Sequence, residues 1–372
     1  SEALVLVMGR VGPLGPERAS IGDADGRWLA ADVIARSDLP PFDNSAMDGY
    51  AVRAGGAPAD LPVCGESRAG GPLPEPLAAG TAMRIFTGAP LPEGADAVVI
   101  QENTEAREDA VSILAQPESG QHIRRRGSDL RAGEPMMRRG DRLGPGELGL
   151  LAAQRVGAVS VVRRPRVAIL STGDELRELH EPDGPGTIVN SNAYALAAQV
   201  REAGGEPLVL PNVGDDLERI CTALEEGLAA DVLVTCGGVS VGAHDHTKTA
   251  FERVGIQADF WKVRMKPGKP LTFGVAKTGT PVLGLPGNPV SAMVTFELFV
   301  RPALRKMSGA GAPYRRRHMM PLASDHAHKP GRPELARVSV EADAIRPLRL
   351  QGSGSLPSMV HADGLALLSA DQ

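Results

Sequence analysis

Four acidic or hydroxyl side chains, Glu175, Asp215, Asp245 and Ser291, each stand just after a short apolar run in the second half of the chain. Runs of that length, rich in β-branched residues, read as buried strands, so the four groups should lie on the rim beyond the strand ends, where open α/β sheets bind ligands. Glu175, Asp215 and Asp245 at one rim suit a hydrated Mg2+ bridging a phosphorylated ligand, or general acid–base work. Taken singly each is a cap or a surface charge; three together read as functional. A basic run sits close by. Lys262, Arg264 and Lys266 are two apart, so a strand over 259–265 would project them from one face, ending in the Pro267-Gly268 turn. Three lysines (Lys262, Lys266, Lys269) fall within eight positions. A basic edge strand that resists aggregation has the same look, but a Pro-Gly turn at the expected rim favours an anion site.

Two loops could supply backbone donors. After Val232, Leu233 and Val234 come Gly237, Gly238, Ser240 and Gly242, then Asp245 between His244 and His246, then helical spacing over 247–254. A strand, a Gly-rich loop and a helix present N–H groups to an anion, although many α/β domains carry glycines there. The His-Asp-His run raises an imidazole-bound metal, but no third soft ligand has a fitting spacing, and solvated loop histidines are the preferred reading. Asn288 is placed as an N-cap with Pro289 at the first helical position, leaving free N–H groups near Gly287. Earlier, Asp43, Asn44 and Asp48 fall in a proline-broken loop that composition alone reads as a solvated turn. Thr87-Gly88 just past a strand makes a phosphate loop or a simple turn. Arg124, Arg125 and Arg126, ending in Asp129, read as a solvated charged face.

The elements that must position these groups are legible in outline. Residues 166–309 alternate strand and helix, implying a mostly parallel sheet with helices on both faces. Helices are expected over 192–203 and 217–228, and from 289 to about 306. Residues 53–131 carry short β-type runs at 61–64, 82–86, 97–100 and 111–114 among glycines and prolines, a small β module. Residues 28–35 read as a short helix passing into an extended piece, and 146–155 as a helix before a strand. The fold class is therefore multidomain α/β and β, with an N-terminal domain of 1–52 plus 134–164 interrupted by a β domain of 53–133. An α/β domain of 165–309 follows, and then a C-terminal domain of 310–372 whose short β-type runs read as a small β-barrel or sandwich, assigned as a β-barrel.

With 372 residues, 42% hydrophobic and 23% charged, at a net charge of −5, the chain is a globular protein with more than one core. Mild acidity and 3% aromatics argue against a nucleic-acid partner. No apolar run reaches the roughly 18–20 residues that cross a bilayer, and no signal-peptide layout is seen, so no membrane partner and a cytoplasmic location are expected. Cys64, Cys221 and Cys236 make neither a disulfide framework nor a metal motif.

Read together, PPFDNSAMDGYAV (40–52), RIFTGAPLPEGADAVV (84–99), STGDEL (171–176), GGVSVGxxD (237–245), KPGKP (266–270) and GLPGNPVSA (284–292) resemble the MoeA family, which includes the gephyrin E domain. GRWLAADV (26–33) and QGSGSLPSM (351–359) fit the same order. The resemblance implies a MogA-like doubly wound α/β/α domain, an elongated N-terminal domain and a homodimer whose site draws on two copies. It implies a molybdopterin molybdenumtransferase that inserts molybdate into adenylylated molybdopterin and releases AMP with Mg2+. By motif, Asp48 and Glu175 are the implied essential acids, and Glu175 and Asp245 the metal-binding carboxylates. Substrate-binding positions are Thr87, Arg124, Asp129, Asp215, Gly237, Gly238, Ser240, Lys262, Lys266 and Asn288. Molybdate-binding positions are Lys266, Pro267, Ser291, Arg332 and Ser353. Further partners it suggests are the molybdopterin adenylyltransferase and cofactor-accepting enzymes. A molybdopterin-binding scaffold, an adenylyltransferase-like protein and a tungstate-inserting paralogue remain as alternatives. Cys236 stands where a serine is common in the family.

Overall fold

The strand–helix alternation over 166–307 folds into a six-stranded mixed sheet. The structure, a computed structural model, describes residues 2–55, 58–182, 184–238, 246–328 and 330–370. The strand order is Glu206–Val209, Arg166–Ser171, Val232–Cys236, Pro281–Leu285, Thr272–Ala276, Ile256–Phe260. The first four run parallel, Thr272–Ala276 runs antiparallel to them, and Ile256–Phe260 pairs antiparallel with Thr272–Ala276. Alternation along each strand divides the core. Val167, Ile169, Val232 and Val234 pack with the helices Ser191–Ala203 and Pro289–Thr295. Ala168, Leu170 and Leu233 pack on the other side with Leu217–Gly227 and Thr247–Arg253. Both faces are therefore covered, which is why these strands read as continuous apolar runs.

The helices begin and end on legible signals. Asn190 caps Ser191–Ala203 through the Ala193 amide, and Gly204 ends it in the left-handed region at φ 94°. Asp216 caps Leu217–Gly227 by accepting from Arg219 N. From Pro289 the chain is helical to Met307, with a π-helical segment at Phe296–Val300.

Three expectations need correction. Residues 259–265 are not a strand: the chain leaves the sheet after Phe260, whose partner Phe273 closes the ladder, and Pro270 has no N–H with which to extend it. The helix expected at Trp28 is absent, because Trp28 and Leu29 bridge to Arg142 and Val161. The expected boundary after Val52 cuts through a sheet. Gly49–Val52 lies between Ala82–Ile85 and Ala97–Ile100 in a second six-stranded mixed sheet that also holds Asp60–Ser67, Ala110–Ile113 and Thr104–Ala106.

Two compact units result. One comprises residues 1–31, 139–148 and 158–372; the other comprises 32–138 and 149–157. In the first unit Pro16–Ser20 pairs with Ala158–Val162, joining the N-terminal segment to the later strand. The C-terminal part forms, among the described residues, an open antiparallel sheet of Ile345–Pro347, Glu334–Val340 and Gly364–Leu368 rather than a closed barrel. No helix among the described residues is long and apolar enough to cross a membrane.

Candidate active site

In the first unit the loops beyond the parallel strands are tied to one another. Thr172 N donates to Cys236 O, Gly173 N to Val213 O and Gly237 N to Leu285 O. Gly237 and Gly238 both have positive φ, and a Cβ on Gly237 would lie 2.4 Å from the Thr172 carbonyl oxygen. Here glycine is required twice over, by conformation and by close approach. Asn192 Nδ2 donates to Gly287 O at 2.6 Å and to Cys236 Sγ at 3.2 Å, joining the glycine loop to the Pro-Gly-Asn-Pro turn. Burial pushes the Cys236 thiol up to about 12, so it is an inert packing group.

Glu175 and Asp215 flank Asp174. Asp174 Oδ1 accepts from Asp215 N at 3.0 Å, closing one loop on the next. The Glu175 carboxylate folds over Gly173, where a Cβ would come within 2.3 Å of Oε2. Both Glu175 and Asp215 are exposed, and their carboxylates carry no hydrogen-bond or ion-pair partner among the described residues. Mg2+ takes one or two carboxylates and completes its shell with water and phosphate, so these hard oxygen donors fit it. The described residues contain no group of three or more His, Cys, Asp or Glu side chains that could hold a metal ion. Asp245, Ser240 and His244 lie outside the described residues. His246 occupies the N-cap position of Thr247–Arg253 and makes no side-chain cap bond.

The lysine run does not present one face. Lys262 is exposed on irregular chain, and Arg264 Nε donates to Gly331 O. Lys266 instead bridges in parallel to Glu334, where its Nζ donates to Glu334 Oε1 at 2.9 Å. Pro267 and Gly268 are buried, and a Cβ on Gly268 would lie 2.4 Å from Thr295 Cγ2, one turn along the helix from buried Ser291. Arg332 is half-buried on the turn leading into Glu334–Val340. Asn288 holds the N-cap position without a side-chain cap bond; its Nδ2 donates to Ser353 Oγ at 3.2 Å. The free N–H groups expected at this helix start are reduced further, since Pro289 has none and Val290 N donates to Ser353 O at 3.0 Å.

The second unit gathers the remaining candidates. Asn44–Ser45 pairs with Ile123–Arg124, and Gly88 N donates to Ser45 O, so the loops carrying Asp48, Thr87 and Arg124 meet. Asp48 Oδ1 accepts from Thr87 N and from Thr87 Oγ1, both at 2.7 Å. The amide bond first and the hydroxyl second hold the Asp48 carboxyl below its ordinary 3.8. Arg84 lies over both the Tyr50 and Phe86 rings. The arginine run is not merely a solvated face: Arg124 pairs with Asp129 at 2.6 Å, Arg125 with Asp43 at 2.7 Å and Arg126 with Asp38.

Thr87→Val should return the Asp48 carboxyl toward 3.8, measurable by carboxyl NMR titration. A folded-state pKa below the unfolded one contributes stability above the ordinary carboxylate range, which is lost as pH falls through the folded pKa. Wild type should therefore exceed Thr87→Val in urea stability at neutral pH, and the gap should narrow at acidic pH as the folded-state carboxylate is protonated. A gap of the same size at both pH values would show that it does not come from Asp48.

Sequence reasoning missed Asp174, Asn190, Asn192, Glu334 and Arg337. Asp174 adjoins Glu175, and Asn190 and Asn192 open a helix, so position alone offered a signal for these three. Nothing local marked Glu334 or Arg337, which sit within an alternating β-type run.

A mixed sheet wound on both faces, with paired loops, exposed carboxylates and a held lysine beyond its strands, defines a doubly wound α/β ligand-binding protein built into a multidomain chain. Residues 1–154 match the MoeA N-terminal region (domain I and II), 168–306 a probable molybdopterin binding domain, and 320–372 the MoeA C-terminal region (domain IV). The chain belongs to the MoeA family. A molybdopterin molybdenumtransferase from Nostoc is 41% identical over 321 residues, covering 84% of this chain and 74% of its own length. Molybdopterin molybdenumtransferase 2 from Mycobacterium tuberculosis is 41% identical over 342 residues, covering 88% and 84%. The crystal structure of the molybdopterin biosynthesis moeA protein from Pyrococcus horikoshii OT3 superposes with a TM-score of 0.87 at 31% identity, covering 100% of this chain and 95% of that one.

Proposed function

We propose that this protein is a molybdopterin molybdenumtransferase of molybdenum cofactor biosynthesis, which inserts molybdate into adenylylated molybdopterin and releases AMP. The observation that carries the reading is the match of residues 1–154, 168–306 and 320–372 to MoeA-family regions, together with the similarity to relatives named molybdopterin molybdenumtransferase. The site chemistry suits it. Both substrates are anions, and for the oxyanion molybdate the Lys266 ammonium is an appropriate partner, while exposed Glu175 and Asp215 are appropriate partners for a divalent cation. When bound, Mg2+ would polarise the pyrophosphate and neutralise its charge. Glu175 would hold it or pass a proton to a departing oxo group; Asp48, aligned by Thr87 and held as a carboxylate, would be the second essential acidic residue, able to accept a proton. A homodimer and a cytoplasmic location belong to the same reading, as do contacts with the adenylyltransferase before it and with cofactor-accepting enzymes after it.

Purified protein given adenylylated molybdopterin and Mg2+ should release AMP only when molybdate is added. Tight binding without AMP release would support a scaffold instead, and AMP incorporation from ATP into molybdopterin an adenylyltransferase. Light scattering should report twice the chain mass; a monomer that is fully active would refute the dimer.

A further inference from the structure

One strand of the C-terminal sheet reaches two of the candidate molybdate groups. Glu334–Val340 begins with Glu334, which is 1% exposed, and carries Arg337, also 1% exposed. Charged side chains buried to that degree persist when their donors and acceptors are satisfied, so what they bond indicates what they are for.

Glu334 bonds Lys266. The two backbones are locked first: Lys266 N donates to Pro333 O at 3.0 Å and Leu335 N to Lys266 O at 2.8 Å. The Lys266 ammonium then donates to Glu334 Oε1 at 2.9 Å, and His328 Nδ1 lies 3.0 Å from Oε2. His326 Nε2 is 3.6 Å from Oε1. Burial raises the Glu334 carboxyl, but the Lys266 and His328 hydrogen bonds outweigh it and hold the group below its ordinary range, as a carboxylate. An ammonium has three donors. With one given to a fixed carboxylate, the long lysine chain is held in a single direction and two donors remain for an oxyanion.

Arg337 bonds the loop that carries Ser353. Its Nη2 donates to Leu350 O and Gly352 O, at 3.4 and 3.2 Å, and its Nε to Ser358 Oγ at 3.3 Å. Gln351 closes the clamp by accepting from Arg337 N and donating to Arg337 O. The loop so fixed lays Ser353 on the start of the helix at Pro289, where Ser353 Oγ accepts from Asn288 Nδ2. A hydroxyl that accepts this bond keeps its own proton to donate.

We infer that Glu334 and Arg337 are positioning residues for the oxyanion substrate: from one strand they direct the Lys266 ammonium and the Ser353 hydroxyl as donors toward molybdate. The inference rests on the proposed function and adds residues to it. Both residues are buried, so they act through the two donors that they direct toward molybdate.

Steady-state AMP release by the purified protein, with molybdate and adenylylated molybdopterin varied separately, tests it. Glu334→Gln and Arg337→Lys should each raise KM for molybdate about tenfold, equivalent to one lost hydrogen bond to a charged group. KM for adenylylated molybdopterin should stay within about twofold. Gln351→Leu loosens the clamp while leaving both buried charges, and should give a smaller rise of the same kind if Arg337→Lys fails to fold. An unchanged molybdate KM, or equal rises for both substrates, would overturn the inference. Lys266→Ala and Ser353→Ala separate its failure from that of the underlying reading: if these too leave the molybdate KM unchanged, the assignment of the site itself is wrong.

Discussion

Glu175→Gln should lower molybdate-dependent AMP release by roughly 10²–10⁴-fold, the usual contribution of a positioned acid or base. Glutamine keeps the shape of the side chain and removes its charge and its proton. The Glu175 carboxylate rests against Gly173 in a loop held by the Gly173–Val213 and Ile188–Glu175 backbone bonds, so the substitution leaves the backbone in place. Since the carboxylate is exposed, without a partner among the described residues, no buried charge is stranded and the melting temperature should not move. Adenylylated molybdopterin should bind Glu175→Gln within a few-fold of wild type in the absence of metal, because the substitution changes no other side chain of the site. Full AMP release by this variant would remove Glu175 from the chemistry. Loss of activity restored by raising Mg2+ would make it a metal ligand rather than a proton donor.

Gly49→Ala should be the most destabilising single change in the second unit. Its added Cβ would lie 1.9 Å from Val99 O, 2.8 Å from Val99 C and 3.0 Å from Ile100 Cα. Gly49 is absent from the positive-φ glycines, so the demand is for space and not for conformation. All three obstructing atoms are backbone in a paired strand, and they cannot yield without separating Gly49–Val52 from Ala97–Ile100. Overpacking against a backbone that cannot move costs about 3 kcal/mol or more. Urea unfolding should show a lower midpoint, and activity should fall with it because Asp48 immediately precedes the displaced residue. Gly55→Ala, with open space around its Cβ but φ +93°, should cost about 1 kcal/mol. If Gly49→Ala costs no more than Gly55→Ala, the close strand approach is not what glycine serves at position 49.

The sequence reading was most accurate where signals are local. The helices from Ser191 and Leu217 and the strands at Ala82–Ile85 and Ala97–Ile100 all lie within a residue or two of expectation, since strand runs and capping residues act over one or two turns of chain. It failed where distant partners outweigh local preference. Trp28 and Leu29 suit a helix, yet Leu29 N donates to Asp141 O and Val162 N to Trp28 O. The spacing of Lys262, Arg264 and Lys266 mimics one strand face, but Phe260 is the last residue with a sheet partner.

The functional residues divide along the same line. Residue type and order alone specified the candidate loops and the family, because glycines, prolines and N-caps carry their conformational demand with them. Which group each loop meets was decided only by the tertiary structure. Asp48 finds Thr87 across 39 positions, Asn288 finds Ser353 across 65, and Lys266 finds Glu334 across 68. No local preference encodes such pairs. They exist because burying both faces of the sheets fixes the paths of strands far apart in the chain, and a buried carboxylate or guanidinium must then take the partner that packing brings to it.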